Sequence, residues 1–240
     1  ENVLTPGDTQ KTLFTVDVDD GNVVTSSDAE ISLIVTSVND APVITDDGLA
    51  NQAVDDNATV TPFVSGVSAF GISDVDTGDP SGVTVTINEG ANRGDFTVPS
   101  STGNGWSRSV SINDFVYTQT FTGDTADADA QAAVRAFVFE PRENALSVGA
   151  SEETDFSVTV GDGTVEVSDD AEISVITTSV NDIPTIDVNS GLTVVFEDAA
   201  DNYIAAANLS SSDLDPDDTA AVLTYTIQTA TSNGTLQNGT

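Results

Sequence analysis

Cysteine, histidine and methionine are absent from this 240-residue chain. Without cysteine there is no disulfide, no thiol nucleophile and no thiolate metal site. Without histidine the commonest general base and the imidazole metal ligand are both missing. Cations are scarce as well: five Lys and Arg stand against 40 Asp and Glu, a formal net charge of −35. Phosphate binding runs on Lys and Arg, so nucleic acid and anionic lipid surfaces are excluded as partners. No apolar run approaches the roughly 18 residues of a membrane-spanning helix, and no membrane insertion of this stretch is expected. Lys11 is the only lysine and lies outside residues 43–182, so a Lys–Asn isopeptide cannot staple that stretch. For catalysis only carboxylate pairs remain, as a glycosidase would use. The acids follow fixed positions along the chain rather than one cleft, and the chain is not expected to be an enzyme.

What the sequence does contain is a repeat. Phe14-Thr-Val-Asp-Val-Asp-Asp-Gly21 returns as Phe156-Ser-Val-Thr-Val-Gly-Asp-Gly163, and Asp28-Ala-Glu-Ile-Ser32 as Asp170-Ala-Glu-Ile-Ser174. The offset is 142, and 19 of the 30 positions from Leu13 to Pro42 are identical to their partners. A period this long is one supersecondary unit copied in series. It divides the chain into the C-terminal part of one module (1–42), a complete module (43–182) and the N-terminal part of a third (183–240). The complete module, at about 140 residues, is long enough for a core of its own. The sequence is therefore expected to begin inside one copy and end inside another, as part of a longer array or as a subunit completed by its neighbours.

The local pattern is strand, turn, strand. Leu13–Val18 and Phe156–Val160 alternate apolar and polar residues into an Asp-Gly turn, followed by strands ending Ile31–Val38 and Ile173–Val180, which predicts a hairpin in each copy. Further strands are predicted over Thr59–Val64, Gly82–Asn88, Asp95–Val98, Trp106–Ile112, Phe115–Thr122 and Ala136–Phe139, and in the third module over Thr193–Phe196 and Ala221–Gln228. Asp124–Arg135 is alanine-rich and acidic at its start, which predicts one short helix. Many short strands with little helix predict an all-β fold, a two-sheet antiparallel sandwich repeated end to end. Phe14 and Phe156 fall at one position of the repeat and read as core. Trp106, the single tryptophan, reads as core or cap, with a carbohydrate platform as the alternative.

Each boundary reads Ser-Val-Asn-Asp-X-Pro, at Asn39-Asp40-Ala41-Pro42 and at Asn181-Asp182-Ile183-Pro184. Proline ends ladder pairing and holds the residue before it extended, so one strand stops there and the next begins. Acids recur at set distances from each boundary. Asp74-Val-Asp76 follows the first and Asp213-Leu-Asp215 the second, while Asp20 and Asp162 sit at the hairpin tips 20 residues before Asp40 and Asp182. If the last strand leaves at one pole, the hairpin tip lies at the other, where the preceding linker enters. Asp162 is thus expected beside Asn39 and Asp40, with Asp74 and Asp76 completing a ring of oxygens. Calcium takes six to eight oxygen ligands at roughly 2.3–2.6 Å, and such a ring suits it. Asp213-X-Asp215-X-Asp217 resembles the start of an EF-hand loop, but its twelfth position is Thr224 rather than Glu, so that motif fails.

This pattern resembles the cadherin fold: Val-Asn-Asp-X-Pro at the boundary, Asp-X-Asp some 30 residues on, and an aspartate 20 residues before the next boundary. It is most similar to the bacterial cadherin-like tandem repeats of giant adhesins and large surface proteins, whose modules often end Val-Asn-Asp-Ala-Pro-Val. Ala133–Pro141 followed by Thr154–Gly163 is similar to the same repeats. The resemblance implies cadherin/Ig-like Greek-key modules with calcium shared at the joints. It implies metal ligands at Asn39, Asp40, Asp74, Asp76, Asp162, Asn181, Asp182, Asp213 and Asp215, with Glu143 of Glu140-Pro-Arg-Glu143 at the far pole. The second Asn of the animal cadherin linker is missing, so fewer ions per joint are expected here. The implied function is that of a secreted or cell-surface stalk, extender or filament whose joints calcium stiffens. Its expected partners are neighbouring modules, copies of itself, and a cell-surface or matrix ligand. The alternative is an adhesion module recognising carbohydrate or a partner surface.

Overall fold

A computed structural model of the chain describes residues 4–26, 31–66, 68–76, 83–89, 93–97, 105–110, 115–122, 126–169, 171–191, 204–219, 222–229 and 232. Among the described residues strand makes up 46%, with one helix and no barrel, which is an all-β composition. The first segment holds β1 (Thr9–Phe14), β2 (Asp17–Asp19), β3 (Val24–Ser26) and β4 (Ile31–Thr36). They form two antiparallel ladders, β1 with β4 and β2 with β3. Where one strand over Leu13–Val18 was expected, the ladder breaks at Thr15-Val16.

The middle segment opens with β5 (Val43–Thr45), β6 (Gln52–Asp55), β7 (Val64–Ser65), β8 (Ser68–Ala69) and β9 (Gly71–Ser73). It continues with β10 (Val83–Glu89), β11 (Gly94–Thr97), β12 (Ser107–Val110), β13 (Phe115–Phe121) and the helix α1 (Ala126–Arg135). It closes with β14 (Val138–Pro141), β15 (Ser151–Gly161), β16 (Glu166–Ser168) and β17 (Ile173–Thr178). Seven of these strands make one sheet in the order β12-β13-β10-β15-β17-β6, with β16 also paired to β15. Its pairs are antiparallel except β17–β6, which is parallel. Strand β15 shows the period-two pattern of a sheet with one buried face: Thr154, Phe156, Val158 and Val160 are buried, and Glu153, Asp155 and Ser157 are exposed. Smaller ladders, β11–β14, β5–β9 and β7–β8, lie outside this sheet.

The core is built from aromatic rings contributed by both groups of strands. Phe96 of β11 meets Phe137 at 5.1 Å, and Phe139 of β14 meets Phe156 of β15 at 5.2 Å, both edge to face. Such pairs add about 0.5–1.5 kcal/mol each beyond the area they bury. Trp106 packs its ring against Phe137 at 4.7 Å, which makes it part of this core. Helix α1 buries Ala126, Ala130, Ala133 and Val134, a stripe at helical spacing. The same helix covers the free edge of β9: Gln131 Oε1 accepts from Ile72 N at 3.2 Å and Asp127 Oδ2 accepts from Asp74 N at 2.7 Å. Residues four apart on the helix thereby satisfy N–H groups two apart on an edge strand that has no ladder partner on that side.

Two strand expectations need correction. Over Thr59–Val64 there is no continuous strand: Val60 bridges Phe139 and Val64 opens β7, and Pro62 between them has no N–H to lend to a ladder. The strand in that region is instead β6, which runs into a turn at Asp56-Asn57. In the last segment, β18 (Thr185–Asn189) pairs β19 (Leu209–Ser212), with Thr185 opposite Ser212 as Val43 is opposite Ser73. Residues 222–228 carry no strand, against the expectation for Ala221–Gln228. The strand expected at Thr193–Phe196 lies outside the described residues.

Candidate functional site

Both hairpin tips fold on their own side chains. Asp162 Oδ1 accepts from Thr164 N and Val165 N, both at 2.7 Å, and Gly163 takes φ +87°. In the first copy Asp20 Oδ1 accepts from Asn22 N and Val23 N, both at 2.9 Å, with Gly21 at φ +88°. An aspartate bonding its own turn, followed by a residue free to enter the left-handed region, is what Asp-Gly supplies.

The two boundaries share a second set of bonds. Asp40 N donates to Asp76 Oδ2 at 2.6 Å, and Asp182 N donates to Asp215 Oδ2 at 2.7 Å. Asp76 N donates to Asp74 Oδ1 at 2.9 Å, and Asp215 N to Asp213 Oδ1 at 3.0 Å. Asn39 Nδ2 donates to the Asp40 carbonyl, and Asn181 Nδ2 to that of Asp182. Behind each linker the serine does the same work twice: Ser37 Oγ bonds Leu4 O and Ser179 Oγ bonds Leu146 O. Asn-Asp at each boundary is thus tied to the Asp-X-Asp loop about 30 residues further on.

At the first boundary Asn39 Nδ2 also reaches Asp162 Oδ2 at 2.9 Å, which puts the hairpin tip beside the linker. Asn39, Asp40, Asp74, Asp76 and Asp162 are therefore brought together, and Asp127 of α1 joins them through Asp74 N. Desolvation, then the charges of Asp127, Asp76 and Asp162, push the Asp74 carboxyl above its ordinary value against the Asp76 N–H bond. Asp162 goes the other way. Desolvation raises it, but N–H donation from Val165, Asn39 and Thr164 outweighs burial and holds its carboxyl low.

At the second boundary the Asp182 N–H bond pulls Asp215 down. Desolvation and the charges of Asp213, Asp182 and Asp218 outweigh it and leave the carboxyl raised. One carboxylate oxygen each from Asp213, Asp215 and Asp218 lies within 4.8 Å of the others. From the middle segment, Ser147 Oγ donates to Asp217 Oδ1 at 2.8 Å. Asp56, buried, accepts from Val180 N at 3.1 Å and from Asn144 N at 3.3 Å. Glu143 is exposed, and Asp56 rather than Glu143 anchors this end to the outgoing strand.

Three acids at these boundaries escaped the sequence reading. Asp127 counts only as part of the acidic start of the expected helix, and Asp56 is not among the expected ligands. Asp218 had a signal that spacing could have found: Asp74-X-Asp76-X-X-Asp79 and Asp213-X-Asp215-X-X-Asp218 share one pattern. Asp79 itself lies outside the described residues. Comparison with protein-family models and with curated proteins finds no match for this chain.

Proposed function

We propose that the chain is part of an extracellular structural or adhesive tandem-repeat protein, built of cadherin-like β-sandwich modules whose joints are stiffened by calcium. The observation that carries this reading is the repeated bonding at the two boundaries, where a linker Asn-Asp is held against an Asp-X-Asp loop in the same way each time. The packing of the seven-stranded sheet against the β11–β14 ladder through a shared aromatic core supports a sandwich. The acids at a joint repel one another when bare, so the linker flexes; as ligands of a hard cation they fix the angle between modules. A site held at tenfold above its Kd adds about 1.4 kcal/mol by mass action. A net charge of −35 without ions is consistent with a surface exposed to a calcium-rich medium.

Small-angle scattering and thermal melting of the whole chain, in chelator and in millimolar calcium, test the reading. Calcium is expected to extend the particle and raise its melting temperature, with sodium at equal ionic strength only partly substituting by screening. Identical profiles and identical melting in the two buffers would sink it.

A further inference from the structure

We propose that the loop 213–218 is a self-contained divalent-cation site in which Asp218 is a ligand alongside Asp213 and Asp215. This rests on reading the boundaries as cation-binding, and adds to it a third carboxylate at the second site. The three carboxylates come from six consecutive residues and converge within 4.8 Å. The loop itself enforces this. Pro216 presets the second position of a turn, and the turn closes with Asp218 N donating to Asp215 O at 3.1 Å, which swings Asp218 back over Asp215.

Asp215 is the independent pointer to a ligand. It is only 3% exposed, and while its Oδ2 receives the Asp182 N–H, its buried Oδ1 accepts no hydrogen bond among the described residues. A buried carboxylate oxygen without a donor is costly unless something positive meets it, and the loop contains no Lys or Arg. An oxygen-only set of three carboxylates suits a hard ion of the calcium class, with carbonyls and water filling the remaining positions. At the first boundary acids from outside the Asp-X-Asp loop join in, from the linker, helix α1 and the β15–β16 hairpin, and the oxygens of Asp162 are each taken by an N–H donor. The three carboxylates of the second site need only the 213–218 loop to meet.

Calorimetric titration of the full chain with Ca2+, after chelator stripping, decides it. Asp218→Asn is expected to remove one ion from the stoichiometry or weaken it by about tenfold or more, as loss of one charged ligand does, with the far-UV spectrum unchanged. Asp213→Asn is expected to do the same, while Asp40→Asn at the other boundary leaves this ion in place. If D218N binds as the wild type does while D213N loses an ion, or if D40N removes the same ion as D218N, the self-contained site is overturned and the reading of the boundaries stands. If the wild-type chain takes up no calcium, that reading falls and this site falls with it.

Discussion

Residues 9–36 and 151–178 are copies of one hairpin that end in opposite surroundings. Phe14 is 46% exposed and Phe156 4%; Ile31 is 45% exposed and Ile173 1%; Leu33 is 54% exposed and its partner Val175 fully buried. In the second copy β15 has β10 on one side and β17 and β16 on the other, and runs unbroken for 11 residues. In the first copy each strand has one neighbour among the described residues, and the corresponding run splits into β1 and β2. The tips nevertheless close with the same Asp-Gly turn. Turn geometry is therefore local, while strand continuity and burial depend on lateral partners, which residues 43–142 supply to the second copy.

The widest gap between the copies is expected from the aromatic position. Phe156→Ala removes a ring that touches Phe63, Phe96 and Phe139, and is expected to cost about 3–5 kcal/mol. Phe14→Ala is expected to stay within about 0.5 kcal/mol, as at an exposed site. Urea unfolding followed by Trp106 fluorescence reads both, and equal midpoint shifts would refute the contrast.

A smaller effect sharpens the same contrast at the turns. Gly163→Ala forces a Cβ into the left-handed region and is expected to cost about 1–2 kcal/mol in the Trp106 transition. Gly21→Ala strains an identical turn but is expected to leave that transition where it is, changing only amide exchange around Asp20–Val23. A shift of the Trp106 midpoint by Gly21→Ala would mean that the two hairpins unfold together.

The smallest effects concern charge at the first boundary. Asp74 has a raised folded-state pKa, so the stability tied to it is present below the unfolded value and is lost as pH rises through the folded one. In chelator at neutral pH, Asp74→Asn is therefore expected to raise the melting temperature, an advantage that fades on acidification through the carboxylate range. Asp162 has a lowered pKa, so its contribution is present above the unfolded value and lost as pH falls through the folded one. Asp162→Asn is expected to lower the melting temperature at neutral pH. Thermal scans of both variants across the acidic range check the two signs, and shifts of the same sign in both would contradict them.

The sequence by itself determined the period, the class, the helix and the placing of the boundary acids. The physics behind these is short-range: alternation sets which face of a strand is apolar, Asp-Gly closes a turn, and Asn-Asp-X-Pro ends a ladder. Even the meeting of Asp162 with Asn39 followed from the polarity of a hairpin. Tertiary structure alone decided what depended on neighbours far along the chain. Strand β6 is held by parallel pairing with β17, across more than 100 residues, and its four residues carry no strand signal of their own. Asp127 joins the first boundary only because α1 lies along the free edge of β9, and Asp56 reaches Val180 only because β6 and β17 run side by side. Phe14 and Phe156 occupy one position of the repeat, and no feature of that position distinguishes them. Burial is a property of what packs against a residue, and for Phe156 that is settled by strands far along the chain.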